Sequence, residues 1–272
     1  MKSKKRIFIH LGLLFSVFVI ASPIILAILF STQTPGEIFS YPPKFIFGSA
    51  FLENYKIAWT TFHLGKYMLN SLYIAFAVTI GKTIIAFAAA LVLVYFRFSL
   101  KNWFFVFILF TLMMPTEIMI VSLFDLVAKI GWANSYAALI VPFLASATGT
   151  FLFRQHFLQI PVSLLDAARI DGAGPIRFAW NILLPMSANV IAALAVIEFV
   201  YVWNQYLWPL VVIRENSRQM IQIGLRMMIT GQDATNWGVV MAGAIISLIP
   251  ALIVFLLLQE QFSRGFALSQ EK

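Results

Sequence analysis

Lys82 and Glu198 occupy positions that demand a chemical explanation. Each stands about midway along an apolar run, Lys82 in 67–96 and Glu198 in 182–213. An ionised group at that depth in a bilayer costs at least ~2.5–3.5 kcal/mol on insertion scales, so it must face a partner charge or a cavity. The two could pair across a helix bundle and fix its packing, or Lys82 could offer a positive site to an anion. Asn204 and Gln205 follow Trp203 in the same run as Glu198. Amides suit neutral hydroxyls and would line a cavity, where Tyr201 could stack on a small ligand. Tyr206 and Trp208 fit an aromatic belt at the membrane interface.

Other chemistry has no support. The 11 acids and 3 histidines are dispersed along the chain, whereas proton transfer needs groups within hydrogen-bond reach. His10, His63 and His156 fall in different segments and there is no cysteine, so disulfides are excluded and spacing suggests no metal cluster. The stretch "FAVTIGKT" (76–83) ends like a phosphate-binding loop. That loop needs a glycine where Phe76 stands and a preceding strand, so that backbone N–H groups can cradle phosphates. No cofactor is expected, and any energy source must come from a partner.

One segment is small, charged and broken by glycine and proline: "SLLDAARIDGAGPIRFAWNILLP", 163–185. Pro161 ends any upstream helix, and Ser163 with Asp166 three residues on reads as a variant capping box. A short helix is expected over 163–170, with Leu164, Leu165 and Ala168 on one side. Gly172 can adopt the left-handed conformation that ends it, and Pro175 favours the start of a second helix. The pair would form a compact knob, its surface kept low by Ala167 and Ala168. Local chemistry alone leaves a plain interfacial connector equally open.

The elements that carry these groups follow from composition. The chain has 272 residues, 61% hydrophobic and 11% charged, where a soluble domain would be about a quarter charged. The expected fold is an all-α integral membrane domain over 1–272, with six transmembrane helices near 7–30, 67–96, 103–124, 136–153, 182–213 and 237–258. The first run exceeds the about 7–15 apolar residues of a cleavable signal and is expected to stay. The net charge of +8 is spread over short loops, which points to loop enrichment rather than a nucleic-acid face. Placing the amino terminus in the cytoplasm puts 11 of the 19 Lys and Arg residues inside and 7 outside, with Lys82 buried in a span. Both termini and the loop 154–181 are then cytoplasmic, and 31–66 and 214–236 face outward. In the outer loop, Ile221, Leu225 and Met228 mark one helix face.

Asp166-Ala167-Ala168, three residues, Gly172, nine residues, then Ile182-Leu183-Leu184-Pro185 resembles the signature loop of ABC-importer permeases, with Asp in place of the usual Glu. "YVWNQYLWPLVV" (201–212) resembles the fifth span of maltose-type carbohydrate permeases. "TLMMPTEI" (111–118), "SATGTFLFRQHF" (146–157) and "WNQYLWPL" (203–210) are most similar to the second permease of sn-glycerol-3-phosphate importers. A maltose-type oligosaccharide or a glycerophosphodiester remains an alternative substrate.

The resemblance implies a type I importer permease fold in the inner membrane, with the knob as coupling helix. It implies a second homologous permease subunit, two ATPase subunits and an external solute-binding protein as partners, beside lipid. Asp166 would then pair with a basic residue of the ATPase, Ala167 and Ala168 would permit close contact, Gly172 would set the bend, and Asp171 would cap or brace the second helix. Lys82 could help draw a phosphate into a path shared by Glu198, Asn204 and Gln205.

Overall fold

The computed structural model describes residues 2–230 and 235–267; residues 231–234 of the expected outer loop, and Lys272 of the inward count, lie outside them. Among the described residues the chain is helical without strands. It runs α1 (Lys2–Phe30), α2 (Pro35–Ile38), α3 (Phe51–Thr60), α4 (Leu64–Tyr95), α5 (Lys101–Leu112), α6 (Thr116–Lys129), α7 (Tyr136–Ile140) and α8 (Ala147–Gln159). There follow α9 (Val162–Ile170), α10 (Pro175–Phe178), α11 (Leu184–Met186), α12 (Ala188–Trp203), α13 (Leu207–Val212), α14 (Ile221–Ile229) and α15 (Trp237–Ala267).

Four stretches are long and apolar enough to cross a membrane: 6–30, 64–95, 136–159 and 237–260, rising to six if two bent helix pairs each count as one. The expected third span is one such pair, α5 and α6, bent by 106°. Pro115 stands at the break, where its ring and missing N–H end the helix. The expected fifth span is the other, a π-turn over Ala179–Leu183 and α11 meeting α12 at 74°. It breaks again after Trp203, before α13. The expected fourth span stops at 153 in the apolar pattern, but its helix continues to Gln159.

Backbone contacts gather into two compact units. One holds the chain through Met68 together with Ile221–Ile249. Its buried Asn54 donates from Nδ2 to the carbonyls of Ser31 (3.0 Å) and Gln33 (2.9 Å), tying α3 to the end of α1. Helix α14 lies on the start of α4, so close that a Cβ on Gly224 would meet Tyr67 Cδ2 at 2.5 Å. Ile221 and Met228 of α14 are buried, as its apolar spacing requires.

The other unit holds Leu69–Met220 and the chain from Pro250. Its core joins Ala86 and Ala90 of α4, Phe153 and Phe157 of α8, Ala168, Phe178, and Leu183 with Leu194. Small residues on α4 let the aromatic rings of α8 approach; Phe87 meets Phe153 and Phe157 edge-on at 5.4 and 5.2 Å, a favoured aromatic geometry. This core forms the floor on which the 163–185 segment rests.

Candidate functional site

The knob is built as two short helices on that floor. Helix α9 starts after Pro161 and its N-cap carries no side-chain hydrogen bond. Ser163 therefore lies inside the helix rather than capping it, because Pro161, with its fixed φ of −58°, is itself the N-cap residue and the helix begins at Val162. At the other end Gly172 has φ +72°. Its N–H donates to the Arg169 carbonyl (3.0 Å) and the Ala173 N–H donates to the Ala168 carbonyl (2.8 Å). These are the two bonds of a Schellman motif. An L-residue there costs about 1–2 kcal/mol, so Gly172→Ala is expected to lower the thermal midpoint of the purified protein. Gly172→Asn should lower it less, because asparagine tolerates that conformation; equal melting of all three proteins would contradict the assignment.

Asp171 is the C-cap residue of α9. The second helix starts from Gly174 without a side-chain cap, so Asp171 does not cap it. The two alanines divide. Ala167 is exposed, while Ala168 is 6% exposed and belongs to the chain's own core with Phe157 and Phe178. Its small side chain lets α9 settle on α8, because the helix rotation set by Leu165 turns Ala168 inward with it.

Asp166 is exposed and lies 3.4 Å from Arg169 of the next turn, both side chains well solvated. Such a pair contributes about 0–1 kcal/mol and is easily exchanged for another cation. Around it the knob shows Ile170 (87% exposed) and Ile176 (84%), with Val162 and Trp180 also open. Sequence reading overlooked these apolar tips. The available signal was that they stand out of phase with Leu165, Ala168 and Phe178, which face the core. A depression of about 180 Å3 between the two helices is lined by Ala168, Asp171, Ala173, Arg177, Asn181 and Ile182. The knob thus offers an acid, a shallow recess and exposed apolar tips, suited to another protein's surface.

Deeper in the same unit, the two buried charges meet. Lys82 Nζ lies 2.6 Å from Glu198 Oε2, and Ser146 Oγ donates to Glu198 Oε1 at 2.8 Å. The same Ser146 Oγ accepts the Gly149 N–H at 3.0 Å and so caps the start of α8. Both carboxylate oxygens are occupied, as a charge in a low-dielectric site requires. The Lys82 ammonium also sits 5.1 Å from the Tyr201 ring centroid, close enough for a cation–π contribution. The joint needs close helices: a Cβ on Gly149 would meet Ala86 Cβ at 2.8 Å and Leu194 Cδ2 at 3.0 Å. Helix α8 therefore runs from this ion pair at one end to the knob at the other.

Ser146 escaped the sequence reading because the apolar run 136–153 conceals the helix start; Pro142, with Ser146 three residues before Gly149, was the signal. Asn204 is exposed at the C-cap of α12, its Nδ2 donating to the Val200 carbonyl at 2.9 Å. Gln205 is half-buried in the break that follows. Trp208 is not in an exposed belt: it is buried, and its Nε1 donates to the Ala138 carbonyl at 3.0 Å. Among the described residues no three His, Asp or Glu side chains gather where a metal could sit.

The model of the family "Binding-protein-dependent transport system inner membrane component" matches residues 82–267. The sn-glycerol-3-phosphate transport system permease protein UgpE of Yersinia pestis bv. Antiqua (strain Antiqua) is 41% identical over 272 residues, covering 97% of each chain. The protein of the same name from Salmonella typhi gives the same identity and coverage. Among solved structures, a bacterial ABC transporter that imports the acidic polysaccharide alginate matches with TM-score 0.83 at 21% identity, over 96% of this chain and 98% of the other. An alginate ABC transporter in complex with its pentasaccharide-bound periplasmic protein matches at TM-score 0.65 and 13% identity, over 97% and 96%.

Proposed function

Because the chain belongs to the inner membrane components of binding-protein-dependent transport systems, we propose that it is a permease subunit of an sn-glycerol-3-phosphate ABC importer. The observation that carries the substrate is the 41% identity, over 97% of both chains, to permeases of that transport system. The chain supplies half of a translocation path, and a second homologous permease supplies the other half. ATP hydrolysis belongs to two ATPase subunits, and solute arrives on an external binding protein. The amino terminus and the knob lie in the cytoplasm.

Coupling runs through the knob. Asp166 exchanges its solvated contact with Arg169 for a cation on the ATPase, while Ile170 and Ile176 enter apolar recesses there. Closure of the ATPase pair on ATP draws the knobs of the two permeases together. Helix α8 carries that displacement to Ser146 and hence to Glu198 and Lys82, at the joint of α4, α8 and α12. Lys82, whose charge is balanced by Glu198, works here as a strut; Asn204 and Gln205 lie where α12 breaks and serve the path's hydroxyl-binding side.

The test is uptake by proteoliposomes holding the complete complex with ATP inside. Radiolabelled sn-glycerol-3-phosphate should accumulate when the binding protein is outside, and labelled maltose should not. Uptake of maltose alone would move the chain to the sugar importers and leave the coupling mechanism standing.

A further inference from the structure

The segment between α2 and α3 is folded back and pinned to the end of α1. Gln33 Nε2 donates to the carbonyls of Lys44 (2.8 Å) and Ile46 (2.7 Å). The Gly48 N–H donates to Thr32 Oγ1 and the Ala50 N–H to the Thr32 carbonyl, both at 2.8 Å. The approach at Gly48 leaves no space for a side chain, since a Cβ would meet the Thr32 carbonyl oxygen at 2.6 Å and Gln33 Cα at 2.7 Å. A capping box between Thr34 and Glu37 closes the turn. This is a built loop, yet it turns Phe45 (63% exposed), Ile46 (66%) and Phe47 (72%) outward, with Phe39 and Tyr41 beside them.

The pinning ties their depth to that of the end of α1. The apolar stretch of α1 ends at Phe30, and the chain keeps helical turns through Ser31 and Thr32. With Phe30 set at the hydrocarbon edge, Thr32 and Gln33 stand about 3–5 Å past it at 1.5 Å per residue. The headgroup layer on each side is about 5–7.5 Å thick, from a 30 Å core in a 40–45 Å bilayer. We propose that the 39–47 loop is a membrane-interface anchor that seats Phe45, Ile46 and Phe47 among the phospholipid headgroups of the leaflet where α1 emerges. Aromatic rings favour that layer, and Lys44, the exposed cation of the loop, complements lipid phosphates. Glu37, the acid of this segment, accepts from the Thr34 N–H and hydroxyl, so its carboxylate is engaged within the turn.

The chain has no cysteine, so single spin labels can be placed at Phe45→Cys, Ile46→Cys and Phe47→Cys. The labels replace outward side chains and spare the backbone bonds that build the loop. The complete complex, with cysteine-free partner subunits, would be set in phospholipid nanodiscs. Collision of each label with oxygen and with an aqueous nickel chelate is then read against lipids labelled at the headgroup and in the upper acyl chain. At least two positions should fall between those standards, with an oxygen-to-nickel ratio several-fold above that of a free label in water. Water-like ratios at two or more positions would overturn the anchor. So would ratios that rise to the headgroup value only after the solute-binding protein is added, which would make the loop a docking surface for that protein.

Discussion

Glu198→Ala is expected to leave little folded protein in the membrane. The carboxylate accepts from Lys82 Nζ at 2.6 Å and from Ser146 Oγ at 2.8 Å, and all three residues are buried. Removing it strands an ammonium in an apolar interior, and breaking one side of a buried pair costs about 3–5 kcal/mol. That is a large share of the ~5–15 kcal/mol that holds a domain together. The yield of purified protein and its thermal midpoint in detergent should both fall sharply. The double variant Lys82→Met, Glu198→Met removes both charges and fills their volume, and such replacements are often neutral. It should therefore melt near the parent protein. A single variant that melts like the parent would show that the pair does not hold these helices together. The double variant also separates two roles for Lys82. If the lysine only braces α4 against α12, the folded double variant keeps its half-saturating substrate concentration. If it draws the phosphate inward, that concentration rises.

Asp166→Arg is expected to abolish ATP-driven uptake while leaving the chain folded and inserted. The side chain is exposed, and its contact with Arg169 at 3.4 Å is solvated, worth about 0–1 kcal/mol. The effect must therefore arise at the partner. Removing one side of a hydrogen-bonded charge pair at an interface costs about 2–5 kcal/mol, and tenfold in affinity accompanies each 1.4 kcal/mol. The affinity for the ATPase subunits, read by their co-purification, should fall by roughly 30-fold or more. Asp166→Glu, which restores the acid of the family's signature loop, should keep it. Normal ATPase recovery with the arginine variant would remove Asp166 from the interface.

Much of the knob was legible because its signals are local. A proline that ends one helix, a glycine that must turn left-handed and a proline that starts the next helix act within a few residues, and the structure places Pro161, Gly172 and Pro175 in those roles. The orientation of Ala168 was not legible in the same way. Two adjacent alanines look equivalent until the rotation of α9 on Phe157 and Phe178 separates them. Apolar runs gave up their existence but not their breaks. Hydropathy is blind to direction, so the turn at Pro115 and the interruption after Trp203 lay concealed inside continuous apolar sequence. The ion pair showed the same limit. Lys82 and Glu198 stood out because a charge in lipid is costly, whereas Ser146 costs little to insert and drew no attention. Its role emerges only when the start of α8 is brought beside Glu198.

In the proposed function this chain turns arrival of one solute into ATP hydrolysis on partner subunits. That coupling is read by the ATPase rate of the complete complex in proteoliposomes, measured with binding protein that is empty, loaded with sn-glycerol-3-phosphate, or loaded with maltose. The glycerol-3-phosphate-loaded protein should stimulate hydrolysis well above the other two, and the Asp166→Arg complex should give no stimulation with any of them. Equal rates with empty and glycerol-3-phosphate-loaded protein would show that this solute does not drive the complex, and full stimulation of the arginine variant would show that coupling does not run through Asp166.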